Sequence, residues 1–220
     1  MKAVVVFSGG QDSTTCLLQA VSSRGAENLE ALSFSYGQKH ELELEAAQSI
    51  TSELGVRHTV MDAGLLGQIV QSALLKGGGE IKQGDKCPNT VVDGRNMLFL
   101  FLAAVYAKSR DIKDIIAGVC QTDFSGYPDC RDVFIKSLNV TLNLAMDYEF
   151  RLITPLMWLT KKETWALADS LGRLEFIRTR THSCYNNVRG GCGSCPACVL
   201  RERGYREYAA EKAVKEAASG

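Results

Sequence analysis

The chain opens MKAVVVFSGGQDSTTCLLQA, and this stretch constrains the fold more than any other. A run of strand formers, Ala3 to Phe7, empties into Ser8-Gly9-Gly10-Gln11-Asp12-Ser13, and a helical pattern follows. The same rhythm then repeats. Strand segments are expected at Ala3–Phe7, Leu29–Ser35, Arg57–Met61, Asp114–Gly118 and Phe150–Ile153, with helices at Ser13–Arg24, Gln38–Leu54, Arg95–Ser109 and Asp132–Met146. In the last of these, Ile135, Leu138, Leu142 and Met146 mark one face at helical spacing. Met97 to Val105 is apolar nearly all round, which predicts a buried helix. Strands alternating with helices argue for an α/β protein with a parallel sheet and right-handed crossovers. In such sheets a ligand sits beyond the carboxyl ends of the strands. The residues to watch are therefore Ser8–Ser13, Ser35–His40, Asp62 and Gly118–Asp123.

Two stretches break the rhythm. Gly77-Gly78-Gly79 through Asn89 reads as a long glycine-rich loop, either a lid or a plain connection. From about Thr179 the pattern dissolves into a cysteine-rich tail that ends in a charged helix around Arg201–Ala218. We expect one main domain over residues 1–178 and a metal-stapled extension over 179–220. Lys+Arg and Asp+Glu balance at 25 each, so composition announces no generic polyanion-binding face. The first apolar run stops after five residues and no later run could span a bilayer, so the expectation is a cytoplasmic protein with no membrane partner.

The opening glycine loop is not a Walker loop, because no Gly-Lys-Ser/Thr follows. It is not a dinucleotide fingerprint either, since Gly9 and Gly10 are adjacent and a third spaced glycine is lacking. What remains is Ser-Gly-Gly-x-Asp-Ser. Adjacent glycines let the backbone approach a phosphate, and the start of a helix adds amide and hydroxyl donors at Ser13 and Thr14. Asp12 is awkward beside phosphate unless a cation mediates, which suggests a magnesium ligand. The competing reading is a simple turn with Asp12 or Ser13 as the helix cap.

Four of the eight cysteines, Cys184, Cys192, Cys195 and Cys198, fall within fifteen residues. Two overlapping C-x-x-C knuckles with a fourth thiolate from the preceding loop suit a tetrahedral ion with no open position. Ligand count and spacing favour structural zinc over an iron–sulfur cluster or a redox pair. Cys16, Cys87, Cys120 and Cys130 are scattered and read as buried apolar residues, and His182 as a structural neighbour of the cluster.

SGGQDS resembles the pyrophosphatase loop of the N-type ATP pyrophosphatases, a superfamily with an adenine-nucleotide alpha-hydrolase-like (HUP, Rossmann-like) fold. SFSYGQKH, GRN, GVCQTDFSGYPDCR, TPLMWLTKKE and CYNNVRGGCGSCPAC are together similar to the 7-cyano-7-deazaguanine synthase family of the queuosine pathway. One departure is Asp93, where the family pattern has proline before Gly94-Arg95-Asn96. The resemblance implies a ligase that turns 7-carboxy-7-deazaguanine and ammonia into the 7-cyano base, cleaving ATP to AMP and diphosphate through an adenylated acid and an adenylated amide. It implies ATP, Mg2+ and one structural Zn2+ per chain, a homodimer, and no direct nucleic-acid partner.

It also implies roles. Phe7, Ser8, Gly9, Gly10, Gln11, Asp12, Ser13, Thr14, Thr15, Cys16 and Leu17 would form the nucleotide segment, with Ser35 and Tyr36 near the adenine or ribose. Asp12, Ser13, Lys39 and Arg95 would be catalytic, with Lys39 or Arg95 answering charge at the α-phosphate. Asp123, Tyr127, Asp129 and Arg131 would bind the deazaguanine acid, although Asp129 equally suits capping of the helix after Pro128. His40 reads as structural. Lys161, Lys162 and Glu163 reach the phosphates or merely open a charged helix. Two other readings stand beside this one. The first is an ATP-pyrophosphatase-type enzyme that thiolates tRNA. The second is a non-catalytic zinc-stapled module with Arg178, Arg180 and Arg189 as nucleic-acid contacts.

Overall fold

The computed structural model describes residues 1–38, 41–81, 89–122 and 127–219, the side chains of Glu41 and Ser219 excepted. The first half of the chain runs β1 (Ala3–Val6), α1 (Gln11–Arg24), β2 (Leu29–Ser35), α2 (Glu41–Leu54), β3 (Arg57–Asp62) and α3 (Leu65–Ile69). The second half runs α4 (Arg95–Lys108), β4 (Asp114–Ala117), α5 (Asp132–Met146), β5 (Arg151–Ile153), α6 (Lys161–Ser170), α7 (Leu174–Arg180) and α8 (Pro196–Ser219).

The five strands form one sheet in the order β3-β2-β1-β4-β5, parallel throughout. β1 is central: Ala3 to Val6 pair with Leu29 to Leu32 on one side and with Asp114 to Ala117 on the other. Both faces are covered, so Ala3, Val4 and Val5 are all fully buried and the strand reads as a continuous apolar run. On one face Val4, Leu32 and Ile115 pack against Leu100, Ala103 and Ala107 of α4 and Leu138 and Leu142 of α5. On the other, Ala3, Val5 and Ile116 pack against Cys16, Leu17 and Ala20 of α1 and Ala47 and Ile50 of α2. The chain leaves β1 toward β2 on one side and returns later to β4 on the other. The crevice that this reversal opens lies where β1 hands over to α1.

The expectation of a helix buried all round at 95–109 fails. Met97, Phe101 and Val105 of α4 are 54%, 44% and 46% exposed, because the sheet and α5 cover only the opposite faces of this helix. The tail folds back onto the sheet domain. Trp165 and Ala168 of α6, Ile177 of α7, Leu18 of α1 and Tyr208 of α8 form a small third core. Trp165 also donates its indole N–H to the Arg201 carbonyl at 3.1 Å. Among the described residues no helix is long and apolar enough to cross a membrane.

Candidate active site

The loop after β1 is held from within. Ser8 Oγ accepts the Gly10 N–H at 3.2 Å and lies 3.1 Å from Ser13 Oγ, which in turn accepts the Ser8 N–H. Gly9 has φ +81°, and a Cβ there would fall 2.5 Å from the Glu43 carbonyl oxygen and 2.6 Å from the Ala47 nitrogen. Only glycine lets α2 lie against the loop. Gly118, just beyond β4, plays the same part across the crevice, since its Cβ would fall 2.9 Å from the Ser13 nitrogen. α1 starts at Gln11 behind Gly10 and has no side-chain cap, so neither Asp12 nor Ser13 serves as one. The Asp12 and Ser13 amides and the positive end of its dipole face the crevice for an anion, while the Gln11 N–H is taken by Ser183. Gln11 Nε2 supports this: it is buried, has no partner among the described residues, and belongs to a residue that lines the crevice.

The crevice is a cavity of about 290 Å³. From the nucleotide segment, Phe7, Ser8, Gly10, Gln11, Asp12 and Ser13 line it. Thr14 and Thr15 are fully buried, with Thr15 Oγ1 bonded to the Gln11 carbonyl, and Cys16 and Leu17 pack in the core; helical periodicity turns them away from the ligand side. Tyr36 lines the cavity while Ser35 accepts the Ala63 N–H through its carbonyl oxygen outside it. Arg95 and Tyr127 are both in the lining. Lys39 and Asp123, and with them His40 and Cys87, lie outside the described residues.

Three sequence expectations need correction. Asp129 does not cap α5; its Oδ2 accepts the Asn96 N–H at 3.0 Å, so it supplies the partner that the start of α4 lacks behind Gly94. Arg131 joins the short turn Pro128–Cys130 to α5, is exposed, and does not line the cavity. Of Lys161, Lys162 and Glu163, only Lys161 faces the cavity. Glu163 closes a capping box with Thr160, and Lys162 pairs with Glu211 at 2.7 Å.

Lys161 Nζ donates to both Asp12 oxygens at 2.8 Å, and its side chain is only 9% exposed. α8 holds it there. A Cβ at Gly204 would lie 2.6 Å from Lys161 Cγ, so glycine allows the tail helix to close over the lysine stem. The tail reaches the loop a second time through backbone and hydroxyl: His182 N–H donates to the Gly9 carbonyl at 3.1 Å, and Ser183 Oγ accepts the Gln11 N–H at 3.2 Å. Arg201 clamps the end of α7, donating to the Ile177 carbonyl and to Thr181 Oγ1, and also lines the cavity.

The opposite wall is aromatic. Phe34 and Phe99 stack with centroids 4.2 Å apart, and Tyr36 meets Phe99 edge-on at 5.2 Å. Arg95 Nη1 lies 3.5 Å from the Tyr36 hydroxyl. Burial works against the Arg95 charge, but Tyr36 and Tyr185 outweigh it and hold the guanidinium charged. Burial pushes the Glu43 carboxyl up to about 7, with Arg95 pulling it only partly back. Burial also pushes the Cys130 thiol up to about 12, so this cavity residue is a neutral thiol. Glu43, Cys130, Ser183, Tyr185 and Arg201 are cavity residues to which the sequence reading gave no site role.

The four tail cysteines converge, with all Sγ atoms within 4.8 Å of one another. Tetrahedral zinc–thiolate bonds of about 2.3 Å place sulfurs about 3.8 Å apart, so these side chains fit such an ion. Cys192 Sγ is 4.0 Å from Cys198 Sγ and accepts from Ser194 Oγ, the Cys195 N–H and Asn186 Nδ2. Ser194 foremost holds the Cys192 thiol below its ordinary range, while burial holds the Cys195 and Cys198 thiols up, so a metal that takes all four as thiolates must displace protons.

Among solved structures, a 4-thiouridine synthetase in complex with RNA and bound ATP superposes with a TM-score of 0.53 at 17% identity, over 99% of this chain and 53% of that one. The likeness is one of fold, and this chain spans about half the length of that enzyme. An NH3-dependent NAD synthetase from Campylobacter jejuni subsp. jejuni shares 19% identity over 83% of this chain and 69% of its own, with a TM-score of 0.48. A protein-family model described as queuosine biosynthesis protein QueC matches residues 2–209, from the first strand through the phosphate loop to the cysteine cluster and most of α8, and the chain belongs to that family.

Proposed function

We propose that the protein makes 7-cyano-7-deazaguanine from 7-carboxy-7-deazaguanine and ammonia, cleaving ATP to AMP and diphosphate. The observation that carries this is the joining of an uncapped phosphate loop, Asp12 and Arg95 in one cavity of about 290 Å³. That volume is near the lower end for small-molecule sites, about 300 Å³, and suits a compact heterocycle better than a folded RNA.

A carboxylate resists attack because its charge repels nucleophiles and oxide does not leave. Transfer of AMP to its oxygen, with release of diphosphate, converts that oxygen into a leaving group. Ammonia then displaces AMP and leaves the amide. Adenylation of the amide oxygen and loss of AMP give the nitrile, so two ATP are consumed per product. The chain's part is placement and charge neutralisation. The α1 amides, Ser13 and Gln11 Nε2 hold the departing diphosphate. Asp12, fixed by Lys161, holds Mg2+ when it is bound, and the ion supplies neutralisation of the phosphate charge. Arg95 answers charge that develops at the α-phosphate. Tyr127 and Tyr185, which line the cavity, would flank the deazaguanine ring, and Lys39 and Asp123 would keep the α-phosphate and base-reading roles the family resemblance implies. Zinc on Cys184, Cys192, Cys195 and Cys198 is structural, since four thiolates leave no position for substrate. A second copy would pack on the exposed apolar stripe of α4.

The test is a mass-spectrometric assay with ATP, Mg2+, ammonium and the carboxylic acid. The expected result is nitrile with AMP and diphosphate. Nitrile with ADP would overturn the adenylating loop, and no product from folded, zinc-loaded protein would overturn the substrate.

A further inference from the structure

We propose that Glu43 seats ammonium in the cavity and takes its proton as the nitrogen becomes a nucleophile, a reading that rests on the amidation proposed above. The carboxylate belongs to the first turn of α2 and lines the cavity that holds Asp12 and Arg95. Its backbone is fixed, because the Glu43 carbonyl lies against Gly9 with no room for a Cβ between them. The side chain is therefore rooted beside the phosphate loop and lines the same cavity.

Among the described residues no hydrogen-bond donor reaches the Glu43 carboxylate. The groups that face it are Arg95 from α4, the phenol of Tyr36 beyond β2 and the phenol of Tyr185 from the tail, with Asp12 of α1 in the same cavity but engaged by Lys161. A desolvated carboxylate with acceptor capacity to spare is costly unless a ligand donates to it. The ligand chemistry it suits is small, cationic and rich in N–H donors. ATP and the substrate acid bring anions that engage Arg95, which leaves Glu43 as the acid facing an incoming cation. Its carboxyl group titrates at about 7, close to working pH, as suits a group that must accept a proton and release it again in each cycle.

The step balances. Ammonium gives one proton to the Glu43 carboxylate, and the freed lone pair forms the C–N bond. The C–O bond to AMP breaks with its electron pair, and the second nitrogen proton goes to the departing phosphate. The same site serves only the amidation round, since the dehydration round needs no ammonia.

The experiment separates adenylation from amidation. Exchange of labelled diphosphate into ATP, dependent on the carboxylic acid, reports adenylation alone. Amide formation is then followed with ammonium and, separately, with hydroxylamine, a nitrogen nucleophile already neutral near physiological pH. Glu43→Gln is expected to keep exchange within a few-fold, to lose ammonium-dependent product by about 100-fold with a raised KM for ammonium, and to regain product with hydroxylamine. Glu43→Asp, which keeps a shorter carboxylate, should retain the rising limb of the pH profile of kcat/KM for ammonium that Glu43→Gln loses. Unchanged ammonium turnover in Glu43→Gln would overturn the assignment. So would a parallel loss of exchange and of both products, which is what a purely structural role gives. Absence of exchange in the wild-type protein would sink the amidation reaction itself, and this proposal with it.

Discussion

The phosphate loop and the cysteine tail meet at one cavity, yet they are ordered by different forces. The loop sits between a fully buried central strand and a helix packed on the sheet, and one strained glycine, Gly9, completes it. The stretch from His182 to Cys195 has no helix or strand and holds Asn187, Gly190, Gly191 and Gly193 in left-handed backbone. Apolar burial orders the first region. The second has little core of its own and depends on the four thiolates. Even so, the tail supplies Ser183, Tyr185 and Arg201 to the cavity and α8 to the back of Lys161. Metal binding at the four thiolates would therefore bear on the part of the cavity wall that the tail supplies.

Cys195→Ser breaks the comparison most sharply. Structural zinc contributes on the order of 10 kcal/mol to small metal-ordered segments. The variant should carry no zinc by elemental analysis, lose solubility and turn over no substrate. Retained activity without metal would show that α6–α8 packing alone orders the tail.

Asp12→Ala strikes the other region. Turnover should fall by at least about 1,000-fold while the sheet survives, as read by circular dichroism. The melting temperature should drop as well, because the mostly buried Lys161 ammonium loses the carboxylate it donates to. An active Asp12→Ala protein would remove the case for a magnesium ligand there.

Glu43→Gln reaches the seam from the loop side and should stabilise the fold. A carboxyl whose pKa is raised by folding contributes stability that is complete below its unfolded value and is lost as pH rises through about 7. The gain should therefore grow between pH 5 and 8, to roughly 2 kcal/mol in chemical denaturation. A gain that does not vary with pH would mean that folding does not shift the titration of this carboxyl.

Gly204→Ala probes the same seam from the tail. In an exposed helix this change is stabilising by about 0.5–1 kcal/mol. Here the new Cβ would meet Lys161 at 2.6–3.0 Å. The expected outcome is a loss of about 1–3 kcal/mol and a lower kcat with zinc fully bound.

What the sequence disclosed follows the same division. The five strands, five of the helices, the glycine loop and the cysteine knuckles were legible, because periodicity, turn chemistry and ligand spacing are all local. Arg201, Ser183 and Tyr185 carried no local signal, since only the fold brings residues so far along the chain to the loop. Glu43 did carry one. With Ala47, Ile50 and Leu54 it marks the inward stripe of α2, and a carboxylate on such a stripe contradicts the amphipathic pattern. Asp129 was read as a substrate contact, with a cap for the following helix as the alternative, whereas its carboxylate accepts the N–H of Asn96, 33 residues earlier. For Lys162 and Glu163 the charged-helix-start alternative holds, and sequence could not choose it because a capping box looks like any charged cluster.

The distance along the chain between loop and tail has a further consequence, measured in time rather than space. Asp12 waits for a partner 149 residues later and Gln11 for one 172 residues later. At a synthesis rate of about 5–20 residues per second, the loop leaves the ribosome on the order of ten seconds before the segment that completes it. A nascent or truncated chain therefore has a phosphate loop but no finished site, and it should consume no ATP until the end of the chain has folded back onto its beginning.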